Sequence, residues 1–253
     1  MNILNKDLCL NILSGIPEPL FCIHSLINIY KDVDVKIENG TGPNTPLIYA
    51  SANNHLLMME AGITVQELIF FYSLLHRICP KNIYGVGNAF GWSTLAFAII
   101  SPASKIVVID NLANFKSIGD PVGMKITKSI IEKNNFNVTA LVAESPKDSY
   151  EVISEHLESK VDFAFIDGLH TNEQVVQDFD AIKFSLHSNS VVVFHDVIKH
   201  NMSKGWKEIS IAAKKLGFTS KILDKTYSGI GIVYGSNMNI EDVINLYSIG
   251  ITE

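Results

Sequence analysis

The stretch IYGVGNAFGWSTLAFA, residues 83–98, runs apolar, breaks at Gly85, Gly87 and Gly91, and resumes with apolar residues at helical spacing. That order reads as a buried strand, a tight turn and a helix. At the carboxyl edge of a parallel sheet such a turn opens backbone N–H groups and a helix N-terminus to space, where an anionic group can be received. The spacing then separates the ligands. A dinucleotide fingerprint GxGxxG counted from Gly85 needs glycine at position 90, which is Phe90, and no Gly-Lys-Ser/Thr follows. Neither that fingerprint nor a P-loop fits.

Outward from this turn, apolar β-type runs alternate with helical patterns. KIVVID ends at Asp110, VTALVA at Ala143, VDFAFID at Asp167 and SVVVFHD at Asp196. Runs that are apolar on both faces, separated by amphipathic segments, belong to a parallel sheet covered by helices on both sides, a doubly wound α/β domain. Thr64-x-x-Glu67 and Thr171-x-x-Gln174 fit capping boxes that open helices, and Gly217 closes the helix that contains Trp206 and Ile209. Beyond Gly217, TSKIL and GIGIVYG are two strands joined by a connection too short for a crossover helix, so this last pair is antiparallel. Residues 1–80 lack the alternation. They are expected to form a helical cap with a loop at ENGTGPNTP, and residues 81–253 the ligand-binding domain.

Composition excludes several classes of function. A chain of 253 residues with 47% hydrophobic side chains buries one sizeable core. With a formal charge of −6 and 20 scattered basic residues, no general nucleic-acid surface is expected. Cys9, Cys22 and Cys79 are odd in number and form no CxxC, which argues against a disulfide framework or a thiolate zinc site and for a reducing, cytoplasmic home. The early stretch LCLNILSGI is interrupted by Asn11 and too short to span a membrane.

Taken together, GVGNAFGWSTLAFA, Asp110 closing the next strand, FIDGLH and FHDV resemble the class I S-adenosylmethionine-dependent methyltransferases, specifically the O-methyltransferase branch that includes catechol and macrolide-sugar O-methyltransferases. The likeness covers residues 64–235, about two thirds of the chain. It implies a Rossmann-like, seven-stranded, mostly parallel sheet with an antiparallel C-terminal strand. It also implies that Gly87, Asn88 and Gly91 surround the methionine portion of S-adenosylmethionine, that Ser93 binds its carboxylate, that Asp110 accepts from the ribose hydroxyls and that Ser145 contacts the adenine. The family carries an acidic residue where this chain has Gly85. Each residue also has a plainer reading. Glycines after a strand make tight turns, Asp110 can cap the following helix, and Ser145 can be an N-cap beside Pro146.

Successive parallel strands deliver their last residues to one edge, so Asp167, His170, His195 and Asp196 are expected to meet beside the glycine turn. In the resembling enzymes this edge holds a divalent metal, at positions that fall here on Asp167, His195 and Asp196. Magnesium prefers oxygen ligands, whereas an imidazole suits manganese or zinc better. Capping and hydrogen bonding of the next loop is the alternative for His195 and Asp196. His170 stands at the position of the family's catalytic base, and an imidazole titrating near neutrality can accept a hydroxyl proton. His187 reads as a surface residue, and Tyr49, Tyr72, Trp206 and Tyr227 as candidates for a pocket wall or for core packing.

The resulting expectation is a cytoplasmic enzyme that moves a methyl group from S-adenosylmethionine to a hydroxyl of a small-molecule acceptor, with a divalent metal assisting. No nucleic-acid or membrane partner is expected, and a homo-oligomer is left open. The other reading is a cofactor-binding protein of the same fold without turnover.

Overall fold

A computed structural model of the chain describes residues 18–39, 46–52, 55–60, 62–113 and 121–248. Cys9 and Asn11 lie outside them, as does most of the expected ENGTGPNTP loop.

The glycine-turn stretch folds as strand β4 (Asn82–Val86), a turn, and helix α3 (Trp92–Ile100). Around it follow β5 (Lys105–Asp110), α4 (Val122–Asn134), β6 (Val138–Val142), α5 (Ser149–Leu157), β7 (Phe163–Ile166), α6 (Asn172–Ile182), β8 (Val191–Phe194), α7 (Ser203–Lys215), β9 (Thr219–Leu223), β10 (Ile230–Tyr234) and α8 (Glu241–Ile244). The sheet order is β6-β5-β4-β7-β8-β10-β9. β4 to β8 pair in parallel, while β10 is antiparallel to both β8 and β9. The expected α/β architecture, with its antiparallel C-terminal pair, is the one observed.

The period-2 alternation of each strand separates two cores. Ile83, Ile106, Phe163, Phe165, Val191 and Val193 point to one face, where Phe71 and Phe97 meet Phe163 and Phe165 edge to face at 5.3–6.3 Å. Tyr84, Val107, Ala164, Ile166, Val192 and Phe194 point to the other, against α5, α6 and α7. A sheet sealed on both faces leaves its strand ends as the place where polar groups meet solvent.

Helix α1 (Glu18–Lys31) and helix α2 (Val65–Ile78) flank a three-stranded antiparallel sheet, β1 (Lys36–Asn39), β2 (Pro46–Ala52) and β3 (His55–Glu60). This small sheet is absent from the sequence expectation, which has only helices and a loop there. Leu26 and Tyr30 of α1 and Phe70, Phe71 and Leu74 of α2 belong to the same core as the central sheet. Residues on both sides of position 80 therefore share one interior. The Tyr30 hydroxyl donates to the Phe90 carbonyl at 2.8 Å, which ties α1 to the glycine turn.

Helix starts follow their local signals. Thr64 and Glu67 form a reciprocal capping box at α2. Thr171 accepts from the Gln174 N–H at 3.1 Å, but the Gln174 side chain turns away, so the second expected box is half formed. Gly217, with φ +82°, ends α7. Of the candidate wall residues, Trp206 packs against Phe194 and Gly231 in the core, and Tyr72 stacks on His76. None of Tyr49, Tyr72, Trp206 and Tyr227 lines the cavity described next. His187 binds Asp162 at 2.9 Å, whose other oxygen accepts from the Lys81 and Asn82 N–H groups, so it is a tie between loops rather than a free surface residue. Among the described residues no helix is long and apolar enough to cross a membrane.

Candidate active site

The carboxyl ends of β4 to β7 open on a cavity of about 250 Å³ that reaches Gly87, Trp92, Ser93, Asp110, Ser145 and Asp167. That is near the lower end of small-molecule sites, roughly 300–1,000 Å³.

Gly87 and Gly91 have φ of +89° and +86°, the left-handed region where a side chain is strained. A Cβ on Gly87 would run into the carbonyl of Asp167, and one on Gly91 into Thr127. Their absence of side chain thus lets the turn nest against β7 and α4 as well as exposing backbone to the cavity. The Asn88 amide is turned inward, donating to the Thr127 hydroxyl at 2.9 Å and to the Ala89 carbonyl at 3.1 Å. Asn88 builds the turn; its side chain is already engaged.

Helix α3 starts at Gly91 with no side-chain cap, so its first N–H groups face the cavity beside Ser93, which is 6% exposed. The Trp92 indole N–H is buried without an acceptor among the described residues. An uncapped helix N-terminus with a spare buried donor is suited to a carboxylate.

Asp110 accepts from the Asn88 and Ala89 N–H groups at 2.8 and 2.9 Å and from Leu112 N–H at 2.7 Å. A carboxylate has about four acceptor positions, so these leave room for a ligand hydroxyl. Asp110 stabilises the turn and lines the cavity, and it does not cap α4, whose N-cap is Pro121.

Ser145 donates to Asp178 at 2.5 Å, and Gln174 donates to the Ser145 carbonyl and to Asp178, both at 2.9 Å. Gln174 and Asp178 also line the cavity. Burial raises the Asp178 pKa, against the lowering effect of those two donors. Sequence reading missed both. Their signal was an i, i+4 polar pair on the face of α6 next to the third strand end, and Gln174 was absorbed into a capping box.

Next to the cavity lies the acid and histidine cluster. Asp167, His170, His195 and Asp196 each offer one ligand atom, all within 4.8 Å of one another. His170 Nε2 is 3.1 Å from Asp167 Oδ1 and 3.8 Å from Asp196 Oδ2, and its side chain is 22% exposed. His195, 3% exposed, faces Asp167 Oδ1 with Nδ1 at 3.2 Å and Glu67 Oε2 with Nε2 at 3.4 Å. Both nitrogens lie off the direction of a good hydrogen bond, and Asp196 Oδ1 is likewise buried without one. Asp196 is held at φ +59°, a costly conformation for a residue with a side chain. Orphaned atoms of His195 and Asp196, with the Asp167 carboxylate beside them, fit a divalent ion.

The electrostatics follow from burial and pairing. Burial would lower the His195 pKa, but the negative charge of Asp167, with the carboxylates of Asp196 and Glu67 close by, brings it well above its ordinary value. Asp167 shows the converse: burial raises its pKa, and His195 and His170 outweigh that and hold it below the ordinary carboxylate range. Three further residues escaped sequence reading. His200 stacks on His170 with centroids 4.5 Å apart and approaches Asp196 at 3.4 Å, Lys199 lies 3.6 Å from Asp196, and Gly62 packs so closely on Asp167 that a Cβ would sit 2.7 Å from Oδ2. The two basic residues had a readable signal, three and four positions beyond a strand-end Asp; Gly62 had none.

Residues 85–197, which hold the turn, Asp110 and the whole cluster, match the family model of a methyltransferase domain. That match makes these residues similar to methyltransferase domains. The chain resembles several solved structures at low identity. An O-methyltransferase from Bacillus cereus in complex with SAH aligns with a TM-score of 0.55 at 16% identity, over 90% of this chain and 96% of that one. TomG from Streptomyces achromogenes, an O-methyltransferase involved in tomaymycin synthesis and solved with SAM, aligns with a TM-score of 0.55 at 14% identity, over 89% and 93%. A candidate caffeoyl-CoA O-methyltransferase from Staphylococcus aureus gives 0.54 at 16% identity, over 91% and 96%. At such identities the likeness is one of fold. No curated protein sequence matches the chain significantly.

Proposed function

We propose that the protein is an S-adenosylmethionine-dependent O-methyltransferase acting on a small molecule, in the cytoplasm, with a divalent ion at the acid and histidine cluster. The observation that carries this reading is the juxtaposition of an uncapped α3 N-terminus, the Asp110 carboxylate and the Asp167/His170/His195/Asp196 cluster around one cavity of a chain similar to methyltransferase domains. S-adenosylmethionine supplies a methyl group already activated on a sulfonium.

The α3 N–H groups, Ser93 and the Trp92 indole receive the methionine carboxylate, and Gly87 lets that chain approach the backbone. Asp110 accepts from the ribose, and Ser145 with Gln174 and Asp178 borders the adenine. Asp167, His195 and Asp196 would hold the ion, and the chemistry it would supply when bound is a lowered pKa at the acceptor hydroxyl. His170 takes the hydroxyl proton, while Asp167 at 3.1 Å orients its ring and stabilises the imidazolium that results. The described part of the N-terminal region, which brings Ile48 and Gly62 to the cavity wall, roofs the acceptor.

Charge supports the choice of acceptor: with a net charge of −6, the protein offers no broad surface for a polyanionic nucleic acid. The test is calorimetric titration with S-adenosylmethionine, its demethylated product and NAD, followed by methyl transfer before and after chelation. Binding of the first two but not NAD, with activity lost to the chelator and restored by manganese, magnesium or zinc, is expected. Cofactor binding without transfer to any hydroxyl acceptor would favour a binding protein, and full activity without metal would reassign the cluster.

A further inference from the structure

Glu67 is the one described acid next to the cluster that the proposed reaction does not use, and it is fully buried. It belongs to the first turn of α2, outside the residues that match the methyltransferase family model. Its carboxylate is held from two sides. Oε2 accepts from the Thr64 N–H at 2.8 Å and from the Thr64 hydroxyl at 3.0 Å, while Oε1 accepts from the Ser228 N–H at 3.2 Å and from the Ser228 hydroxyl. An anion so fixed cannot swing. The remaining direction of Oε2 faces His195 Nε2 at 3.4 Å.

The opposite edge of the His195 ring presents Nδ1 to Asp167 and Asp196 at 3.2 and 3.6 Å. Neither ring nitrogen forms a well-directed hydrogen bond, and the same is true of Asp196 Oδ1. The two nitrogens differ in what they face: Nε2 meets a carboxylate whose other directions are filled by Thr64 and Ser228, and Nδ1 meets two carboxylates of the candidate ion cluster. With an ion among those ligands, the ring proton stays on Nε2 toward Glu67 and the lone pair is left on Nδ1.

We propose that Glu67 is a positioning residue for the ion site: it fixes the His195 ring with Nε2–H toward α2 and Nδ1 as the donor toward Asp167 and Asp196. This inference rests on the metal-assisted reading above. It brings Thr64 at the start of α2 and Ser228, between β9 and β10, into the support of a site otherwise made from β7 and β8.

Two measurements test it. In the zinc-loaded wild-type protein, long-range ¹H–¹⁵N correlation of the histidine rings should show His195 with a protonated Nε2 and a metal-shifted Nδ1. In calorimetry of the metal-free protein, Glu67→Gln should weaken zinc and manganese binding by about 10- to 100-fold, while S-adenosylmethionine affinity in the same samples stays unchanged. Ser228→Ala, which removes one donor to Glu67 and no charge, should weaken ion binding in the same direction and by less. A zinc-saturated protein whose His195 ring is protonated on both nitrogens would overturn the inference, even if Glu67→Gln proves too unstable to purify. So would Glu67→Gln with wild-type ion affinity, or wild-type protein that binds no ion. Cofactor affinity reports on the methyltransferase reading separately, because its residues lie at the glycine turn.

Discussion

At the residue scale the site depends on which partner each ionisable side chain faces. His170 is partly open and backed by Asp167, whereas His195 is enclosed between Asp167 and Glu67. The different tasks proposed for the two histidines rest on both exposure and partners. His170→Ala should lower turnover by a factor on the order of 10² to 10⁴ with cofactor affinity nearly intact, and the residual rate should rise with pH as hydroxide accepts the proton. His156→Ala is the control, since that ring has only a 4.0 Å contact with Glu155; equal, modest losses in both variants would remove the case for His170. Asp110→Ala should weaken S-adenosylmethionine binding by about 1.5–3 kcal/mol in calorimetry, through lost charge-assisted hydrogen bonds. Because Asp110 also accepts three backbone N–H groups, that variant should melt earlier as well. An unchanged affinity would show that the ribose lies elsewhere.

At the scale of elements, the turn between β4 and α3 is set by sterics before any ligand arrives. Gly87→Ala combines a left-handed backbone with a Cβ driven into the Asp167 carbonyl, and should cost on the order of 3 kcal/mol or more in stability by urea denaturation. Wild-type stability would contradict the close approach. Thr64→Ala removes a cap and a donor to Glu67 and should cost about 1–2 kcal/mol. The strands of the central sheet were legible because each is apolar on both faces, and the β9–β10 pair because its connection is too short for a helix. The β1–β3 sheet was not legible: its strands stand beside Asn- and Gly-containing segments and are stabilised by pairing that no local pattern encodes. Asp167, His195 and Asp196 were readable as strand ends. Glu67 was readable only as half of a capping box, since its contact with His195 spans the fold and leaves no periodic trace.

For the whole molecule, the buried charges make stability depend on pH at both ends. Burial raises the Glu67 pKa, but His195, Ser228 and Thr64 bring it down to about 2. A carboxyl lowered on folding adds stability above its unfolded value, and that contribution disappears as pH falls from its ordinary 4.5 to about 2. Asp167 is lowered too and adds to the same acid limb. His195 has the opposite sign. Its raised pKa contributes stability fully below its ordinary 6.5, and the contribution is lost as pH climbs through the higher folded value. Metal-free protein should therefore lose stability below about pH 4.5 and again on the alkaline side, as read by urea midpoints across pH. His195→Gln should flatten the alkaline limb; an unaltered profile would mean that His195 folds uncharged.

The hydrogen bonds from Ser228 to Glu67 join positions separated by 161 residues of chain. During synthesis, α2 and all five parallel strands leave the ribosome before Ser228 does. Until it emerges, Glu67 lacks two of its donors and β8 has an open edge where β10 will pair. A released fragment ending near residue 215 should thus carry every residue proposed to contact the cofactor and yet remain sensitive to protease around α2 and β8, with resistance appearing only when the last two strands are present.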